Sequence, residues 1–350
     1  MDHEPTPTRV SLRAIAAKLG VSHVTVSLAL RNAPRVSLAT REKIQKVAED
    51  MGYRPDPMLH ALAAYRNRKS IPPIHAALAW INAWPDPEDL RRLKEFDLYW
   101  QGASKCAEKL GYRLEEFRVD KQMSFQRLHQ ILRTRDIRGI LLPPHGPTQP
   151  DWRDFPWKDY SVARFGRSLK FPEAHLVTAD QFANTFMAVN KMRERGYKRI
   201  GLIAPELTQD PRGPHFTAGF LCAREQSHGG ESLPLFLMKE PLTADLIGRF
   251  RRWMDREKPE ALLSTVDPRD LLHEAGCRVP NDIAVAVTSV LDGGVDSGVD
   301  QHPEEIGRVG MLLLHSLICD SARGIPAIFR QILVEGSWVE GSSLPDRRKG

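Results

Sequence analysis

LRAIAAKLGVSHVTVSLALR, residues 12–31, has the apolar spacing of two short helices joined by a tight turn. The first helix carries an apolar stripe at Leu12, Ile15, Ala16 and Leu19. Gly20 ends that helix, and Ser22 is placed to cap a second helix through Arg31, with Val26, Ala29 and Leu30 inward. A small residue at the crossing, a glycine in the turn and apolar residues on the second helix are what a helix-turn-helix requires. The alternative is any two short helices joined by a glycine turn.

A third helix follows and completes a three-helix, all-α head. Ser37 can cap it, and its apolar positions recur at three and four residues through Ile44, Val47 and Met51. Gly52 and Pro55 end it.

Positive charge is concentrated around these helices. The chain has 350 residues and a formal net charge of +6, from 50 Lys and Arg against 44 Asp and Glu. Residues 1–70 hold 12 of the basic and 6 of the acidic side chains, which leaves 38 of each sign in the remainder. A basic head on a neutral body predicts a polyanion-binding unit attached to a body that takes an uncharged or weakly charged ligand.

The composition excludes several classes of protein. With 41% hydrophobic and 27% charged residues the chain is ordinary globular material. Its most apolar stretches, Ala76–Ile81 and Met311–Cys319, are too short for a membrane span, and the polar N-terminus lacks a signal peptide's apolar core. The four cysteines are isolated, without zinc or disulfide spacing. We expect a reduced, cytoplasmic protein that has no membrane association.

Beyond the pair Pro72-Pro73, short β-rich runs alternate with amphipathic helices, which predicts parallel sheets. Nine strands are expected near residues 76–81, 113–117, 139–142, 161–163, 176–178, 200–204, 233–237, 261–264 and 283–287. Nine strands exceed one modest sheet, so an α/β body of two subdomains with a cleft between them is the preferred architecture.

The stretch VSLRAIAAKLGVSHVTVSLALRNAPRVSLATREKIQKVAEDMGYRPDPMLHAL, residues 10–62, resembles the lactose-repressor (LacI/GalR) family of bacterial transcription regulators. Weaker similarity continues through HLVTADQFANTFMAVNKMRERGYKRIGLI, EAGCRVPNDIAVA and GVDQHPEEIG, so it covers nearly the whole chain. The resemblance implies a helix-turn-helix domain over 1–54, a hinge helix and basic linker over 55–73, and a periplasmic-binding-protein-like body over 74–350. Within that body, subdomain 1 is expected at about 74–176 and 302–329, and subdomain 2 at about 177–301 and 330–350.

In such a family the second helix enters the major groove, where its N-terminal side chains read base edges. Here His23, Val24 and Leu28 hold those positions; His23 can hydrogen-bond a base edge, whereas Val24 and Leu28 can only make apolar contacts. Phosphate contacts are assigned to Thr25, Ser27 and Arg31, and Ser22 at the start of the helix is also included among the DNA-binding residues. The alternatives are solvated helix positions for Thr25 and Ser27, and burial in the head for Val24.

Two departures bear on DNA specificity. The family commonly has a basic residue where Leu28 stands, and Asn-Gly where Arg31-Asn32 stand. Leu28 removes a donor that would read a base, so the operator is expected to differ from the family's commonest half-site while remaining pseudo-palindromic.

Residues 55–64 match the family's hinge, which folds on DNA and inserts a leucine into the minor groove. Leu62 holds that position and Ala63 follows it. Such a wedge unstacks two base pairs and bends the duplex, which permits further contacts. The alternative is that Leu62 only packs against its mate in a hinge dimer.

The family's effector pocket implies five positions in the body. Phe216 stands where an arginine normally precedes the Gly-aromatic pair, here Gly219-Phe220. Asp267 matches an acidic residue that follows a strand, Gln301 a polar crossover residue, and Arg164 a position after the fourth strand. Trp84 follows the first strand and could stack on a sugar face. For each, the alternative is a structural or surface residue.

Other chemistry finds little support in the sequence. Asp292, Asp296 and Asp300 have a four-residue spacing that does not fit a calcium loop, and a solvated turn is the better interpretation. No phosphate loop, nucleophile elbow or metal-binding histidine pair is present, so no cofactor, metal or catalytic residue is expected.

These observations favour a homodimeric transcription regulator, more often a repressor than an activator, that binds a double-stranded DNA operator. A small metabolite, of which a carbohydrate is the preferred class, is expected in the cleft. An enzyme with a DNA-binding appendage and an architectural DNA-binding protein without a ligand are the alternatives.

Overall fold

A computed structural model describes residues 11–30, 36–51, 53, 76–120, 123–146, 148–206, 213–226, 235–238 and 242–348. The chain divides into two compact units, Met1–Pro72 and Pro73–Gly350. In the described ranges, no helix combines the length and the apolar composition that a membrane span requires.

The first unit contains three helices, α1 (Leu12–Leu19), α2 (His23–Leu30) and α3 (Leu38–Asp50). Local hydrogen bonds set their ends: the Ser11 hydroxyl accepts from the N–H of Ala14 at 3.2 Å, and Ser37 caps α3 in the same way. Gly20 ends α1 in the left-handed region with φ at +65°, a conformation that a side chain disfavours. The helices enclose a small apolar core that contains Ile15, Ala16, Val26, Ala29, Val36, Ile44 and Ala48.

The second unit contains two six-stranded sheets. The first sheet has the order β11-β5-β4-β3-β1-β2 and is parallel throughout. Its strands are β1 (Ala76–Asn82), β2 (Tyr112–Arg118), β3 (Gly139–Leu142), β4 (Ser161–Phe165), β5 (His175–Ala179) and β11 (Gln331–Val334). The helices of this half are α4 (Pro87–Arg92), α5 (Lys94–Lys109), α6 (Phe125–Thr134) and α11 (Pro303–Cys319), with short 3-10 turns at Trp152–Asp154 and Trp157–Asp159.

The second sheet has the order β12-β10-β9-β8-β6-β7, and the β10–β12 pair is its antiparallel edge. Its strands are β6 (Ile200–Pro205), β7 (Phe236–Met238), β8 (Ala261–Ser264), β9 (Ala284–Val287), β10 (Gly298–Asp300) and β12 (Ser337–Val339). The helices of this half are α7 (Gln181–Glu194), α8 (Gly213–Glu225), α9 (Ala244–Glu257) and α10 (Arg269–Ala275).

Helices cover both faces of each sheet, so successive strand residues enter separate apolar cores. In β1, Leu78 and Trp80 belong to one core while Ala79 and Ile81 belong to the other. Parallel strands buried on both faces are expected to be almost continuously apolar, as β1 and β8 are.

The chain passes between the two sheets after β5, after β10 and after β11. The sequence-based subdomain limits are wrong near the first and third of these passages, because β5 continues to Ala179 and β11 belongs to the first sheet. β11 pairs in parallel with β5, from Gln331 opposite Leu176 to Val334 opposite Ala179. Residues 331–334 therefore lie in subdomain 1, and the last passage falls at residues 335–336.

Candidate functional site

The exposed start of α2 is the first candidate site. Ser22 lies just before the helix, and its hydroxyl accepts a hydrogen bond from the N–H of Thr25 at 3.0 Å. The hydroxyls of Ser22 and Thr25 also lie 2.8 Å apart. These contacts fix the first turn of α2, so Ser22 and Thr25 have a structural role beside any contact with phosphate.

Val24 projects from this turn with an exposed fraction of 52%, although it is apolar. Val26 and Ala29, on the opposite phase of the helix, are fully buried. Burial of Val24 in the core of the head, the alternative left by the sequence, is therefore wrong. His23 is exposed beside Val24, so both side chains are available to an external partner.

The other predicted DNA contacts are less exposed or lie outside the description. Leu28 is half-buried and packs against the core of the head, so only part of its side chain is available to a base. Ser27 is also half-buried. Arg31, Leu62 and Ala63 lie outside the described residues.

The second candidate site is a cavity of about 360 Å³ between the two sheets of the body. Its wall is formed largely where strands of both sheets end: Pro144 follows β3, Arg167 and Ser168 follow β4, and Thr178 lies in β5. The second sheet contributes Ser264 to Asp267 at and after the end of β8, and Val287 to Ser289 at and after the end of β9. Ligands of open α/β sheets bind at this carboxyl edge of the strands.

Three of the five predicted effector residues line this cavity, namely Phe216, Asp267 and Gln301. Phe216 is buried in α8, and Gln301 donates to the carbonyl oxygen of Thr288 at 2.8 Å. Burial disfavours the ionised form of Asp267, but hydrogen bonds from Arg269 outweigh it and hold the pKa of this carboxyl below its usual value. Asp267 is therefore an anion that already has a cationic partner.

The other two predicted effector residues, Trp84 and Arg164, are not among the residues that line the cavity. The indole N–H of Trp84 donates to the carbonyl oxygen of Pro144 at 2.8 Å, and its ring packs against Phe96, which does line it. Arg164 is buried within β4 and donates to the carbonyl oxygen of Leu169 at 2.5 Å. Both assignments are corrected, because these side chains donate to backbone carbonyl groups and do not line the cavity.

Apart from the carboxylate of Glu95, four polar side chains of the cavity wall each have one buried atom with no hydrogen-bond partner in the described structure. The atoms are Arg167 Nε, Gln181 Oε1, Thr265 Oγ1 and Ser289 Oγ. Buried polar atoms are normally satisfied, so a cluster around a cavity indicates a polar ligand or ordered water. None of the four was predicted from the sequence, where Gly166-Arg167, shortly after the strand expected at 161–163, was the available signal.

The three spaced aspartates, Asp292, Asp296 and Asp300, each accept hydrogen bonds from backbone N–H groups. Asp296 accepts from the backbone N–H groups of Ser342 and Ser343, both at 2.8 Å, and Asp300 accepts from that of His302 at 2.9 Å. Asp292 accepts from two backbone N–H groups as well. Among the described residues, no group of His, Cys, Asp and Glu side chains is arranged to hold a metal ion.

Two sequence families match the chain. The model for bacterial regulatory proteins of the lacI family matches residues 11–56, which contain the three helices of the head. The model for a periplasmic binding protein-like domain matches residues 189–344, which contain the whole second sheet.

Individual proteins agree with these matches. The HTH-type transcriptional repressor CytR of Escherichia coli K12 is 27% identical over 326 residues, which cover 88% of this chain and 89% of that protein. The HTH-type transcriptional regulator IpsA of Corynebacterium glutamicum is 46% identical over 57 residues, 16% of each chain.

Two solved structures share the fold across both units of the chain. A complex of the transcriptional regulator CelR with cellobiose has a TM-score of 0.56 at 20% identity and covers 96% of this chain and 100% of its own. The lac repressor dimer bound to operator and an anti-inducer has a TM-score of 0.52 at 18% identity, with coverage of 97% and 100%. The chain therefore contains the helix-turn-helix domain of lacI-family bacterial regulatory proteins over residues 11–56 and a periplasmic binding protein-like domain over residues 189–344, which are the two domains of a DNA-binding transcription regulator.

Proposed function

We propose that this protein is a homodimeric repressor whose affinity for a pseudo-palindromic operator is set by a small metabolite, preferably a carbohydrate, bound between the two sheets. The observation that carries the proposal is the cavity itself. It lies at the strand ends of both sheets, and Gln181, Thr265 and Ser289 present polar atoms there that no described protein group satisfies. A ligand that bridges the two sheets would favour one arrangement of the subdomains.

DNA contact is assigned to the exposed start of α2. His23 and Val24 would contact base edges, with a smaller apolar contribution from Leu28. Ser22, Thr25 and Ser27 would position the helix against phosphates. The contacts proposed for Arg31, Leu62 and Ala63 rest on the sequence alone.

The metabolite is assigned to the cavity, with Phe216 as an apolar wall and with Asp267 and Gln301 as polar groups. A carbohydrate suits this lining because hydroxyl groups both donate and accept hydrogen bonds. The cellobiose in the similar CelR structure supports the same class. A tenfold change in operator affinity corresponds to a free energy of about 1.4 kcal/mol. Regulation therefore requires only a modest difference in ligand affinity between the DNA-binding state of the protein and its other state.

The homodimer is supported by an exposed apolar segment just before and within β11, the last strand of the first sheet in chain order. Ile328 is 83% exposed, and Ile325, Phe329 and Leu333 are each about 40% exposed. Leu333 lies in β11, an edge strand of that sheet. Apolar side chains grouped at an edge mark an association surface.

The test is a selection of operator sequences from random duplex DNA by the full-length protein, followed by titration at several salt concentrations. Phosphate contacts predict a steep fall in affinity with salt, and a flat dependence would contradict the assigned role of the head. Sugars are then added at a fixed salt concentration. A change of tenfold or more in operator affinity supports the regulator, whereas an architectural protein predicts no response to any sugar.

A further inference from the structure

Arg167 lines the cavity, and its neighbours in the described structure satisfy its hydrogen-bond donors only in part. It follows β4 by two residues and is half-buried in the cavity wall. Its Nη2 donates to Oε1 of Gln331 at 2.8 Å, which fixes the direction of the guanidinium group. Its Nε is buried and has no hydrogen-bond partner among the described residues.

Two of the three acidic side chains of the wall are already engaged elsewhere. Asp267 pairs with Arg269 at 2.7 Å, and Asp292 accepts from the backbone N–H groups of Lys94 and Glu95. Glu95 lies in the first turn of α5, where the helix dipole favours a negative charge. Within the described part of the chain, Arg167 makes no ion pair with any of them.

Arg167 is the basic side chain of this wall, and the described residues compensate its positive charge only in part. Burial lowers the pKa of Arg167, and the carboxylate of Asp180 opposes that effect only partly. Burial and the charge of Arg167 both lower the pKa of the nearby His215, and the carboxylate of Asp180 opposes them only in part. An arginine remains charged in proteins, so its missing counter-charge is most simply supplied by a ligand.

The rest of the cavity defines the remainder of that ligand. Gln181 Oε1 can accept a hydrogen bond, and the hydroxyls of Thr265 and Ser289 can donate or accept. The volume of about 360 Å³ lies at the small end of the range for ligand pockets. We propose that the ligand is a small polyhydroxylated molecule that carries one anionic group, a carboxylate or a phosphate, bound by Arg167.

The inference rests on the proposed function and narrows its ligand class, against the expectation of an uncharged ligand drawn from the neutral body. Net charge describes the body as a whole, whereas a ligand responds to the groups within a few ångströms. Arg167 thus takes a binding role that the family pattern places at position 216, where this chain has phenylalanine.

The experiment measures binding to the full-length protein by calorimetry, with matched sets of sugars as probes. One set is glucose, glucuronate and glucose 6-phosphate; a second is ribose, ribonate and ribose 5-phosphate. We expect an anionic member to bind at least tenfold more tightly than its neutral counterpart, and the comparison of carboxylate with phosphate identifies the group. Equal or tighter binding of the neutral sugars, or no binding by any anionic member, overturns the proposal.

Variants of Arg167 test whether this residue causes the preference for anionic sugars. Arg167→Gln should remove the preference for the anion, and Arg167→Lys should retain part of it. Arg153→Gln is the matched control, because Arg153 is exposed and pairs with Asp151 in the same subdomain. Melting temperatures without ligand establish that each variant folds, and a preference that survives in folded Arg167→Gln or Arg167→Lys to the full wild-type extent contradicts the assignment.

Operator titrations separate this inference from the function on which it rests. If neutral sugars bind as tightly as the anionic ones and change operator affinity, the proposed regulation is supported and the proposed preference for an anionic ligand is wrong. If anionic probes bind through Arg167 without changing operator affinity, the ligand class stands and the proposed regulation is wrong.

Discussion

The carboxylate of Asp292 accepts a hydrogen bond from the backbone N–H of Lys94 at 3.0 Å, across 198 residues of sequence. Its second oxygen accepts from the N–H of Glu95, also at 3.0 Å. These N–H groups begin α5, where the preceding residue Leu93 supplies no side-chain cap. A residue of the second subdomain therefore caps a helix of the first, beside the cavity.

This cap should stabilise the first turn of α5 as long as the two subdomains keep Asp292 next to it. Replacing Asp292 with alanine removes it, which costs about 1 kcal/mol at a typical helix N-terminus. We expect the amides of Lys94 and Glu95 to exchange with deuterium about fivefold faster in Asp292→Ala, measured by mass spectrometry of peptides from this turn. Asp255→Ala, at an exposed position in α9, is the control. Unchanged protection of the α5 peptide would show that the contact contributes nothing.

The Gly-aromatic pair has a packing explanation that leads to a second prediction. A Cβ built on Gly219 would lie 2.4 Å from the carbonyl oxygen of Phe182 and 3.0 Å from Cβ of Thr185, so α8 and α7 touch through the glycine. Gly219→Ala should separate the helices and lower the free energy of unfolding by about 1–3 kcal/mol in urea titrations.

Gly248→Ala is its matched control, since Gly248 lies within α9 and its nearest obstacle is the flexible end of Arg252 at 3.5 Å. Alanine should stabilise that helix by up to about 1 kcal/mol, because it loses less backbone entropy than glycine on folding. Two glycine-to-alanine changes of opposite sign would exclude a general effect of the added methyl group. A neutral result for Gly219→Ala would remove the packing explanation.

The exposure of Val24 leads to a third prediction, for the head. Val24→Ala should weaken binding to the selected operator about fivefold through loss of an apolar base contact, while non-specific binding and thermal stability stay unchanged. Val26→Ala should do the reverse, because Val26 is fully buried: two lost methyl groups cost about 2 kcal/mol of stability. Fluorescence anisotropy with operator and with scrambled duplex distinguishes the two outcomes. Equal losses on both duplexes for Val24→Ala would place it outside base recognition.

The head was predictable from sequence because local chemistry sets its helices. Ser22 and Ser37 cap helices where their hydroxyls lie next to free N–H groups, and Gly20 ends α1 in the left-handed conformation that the motif requires. Capping depends on neighbours within four residues, so a single sequence contains the signal.

The body was predictable only in outline. Nine expected strands correspond to strands of the structure, but β10, β11 and β12 were missed. Each has only three or four residues. β11 exists because β5 offers it a parallel edge, a relationship between residues about 155 positions apart. That missed pairing also explains the misplaced subdomain limit.

The cavity was the hardest part to predict. Trp84 and Arg164 were chosen because they follow or end strands, yet the structure directs their polar atoms to the backbone carbonyls of Pro144 and Leu169. Which side chain after a strand enters the cleft depends on the turn that follows. Arg167 enters because Gly166 turns the chain in the left-handed region, with φ at +65°.

A buried histidine beside this wall makes the stability of the body depend on pH. His145 is 4% exposed, and its Nδ1 lies 2.9 Å from the carbonyl oxygen of Pro143, so Nδ1–H donates to that oxygen. Burial lowers its pKa to about 4, against the opposing effect of that hydrogen bond. The unfolded chain takes up a proton at about pH 6.5, whereas the folded chain resists until about pH 4.

The stabilising contribution of neutral His145 is therefore complete above pH 6.5 and is lost as the pH falls towards 4. At pH 5 the loss amounts to about 2 kcal/mol, because each pH unit between the two pKa values costs about 1.4 kcal/mol. His145→Gln, which cannot titrate, should narrow the difference in unfolding free energy between pH 7.5 and pH 5 by that amount in urea titrations. His273→Gln, at a side chain that is 87% exposed, should leave the wild-type difference intact. If both variants respond to acid as the wild type does, other groups cause the acid sensitivity and the buried imidazole does not.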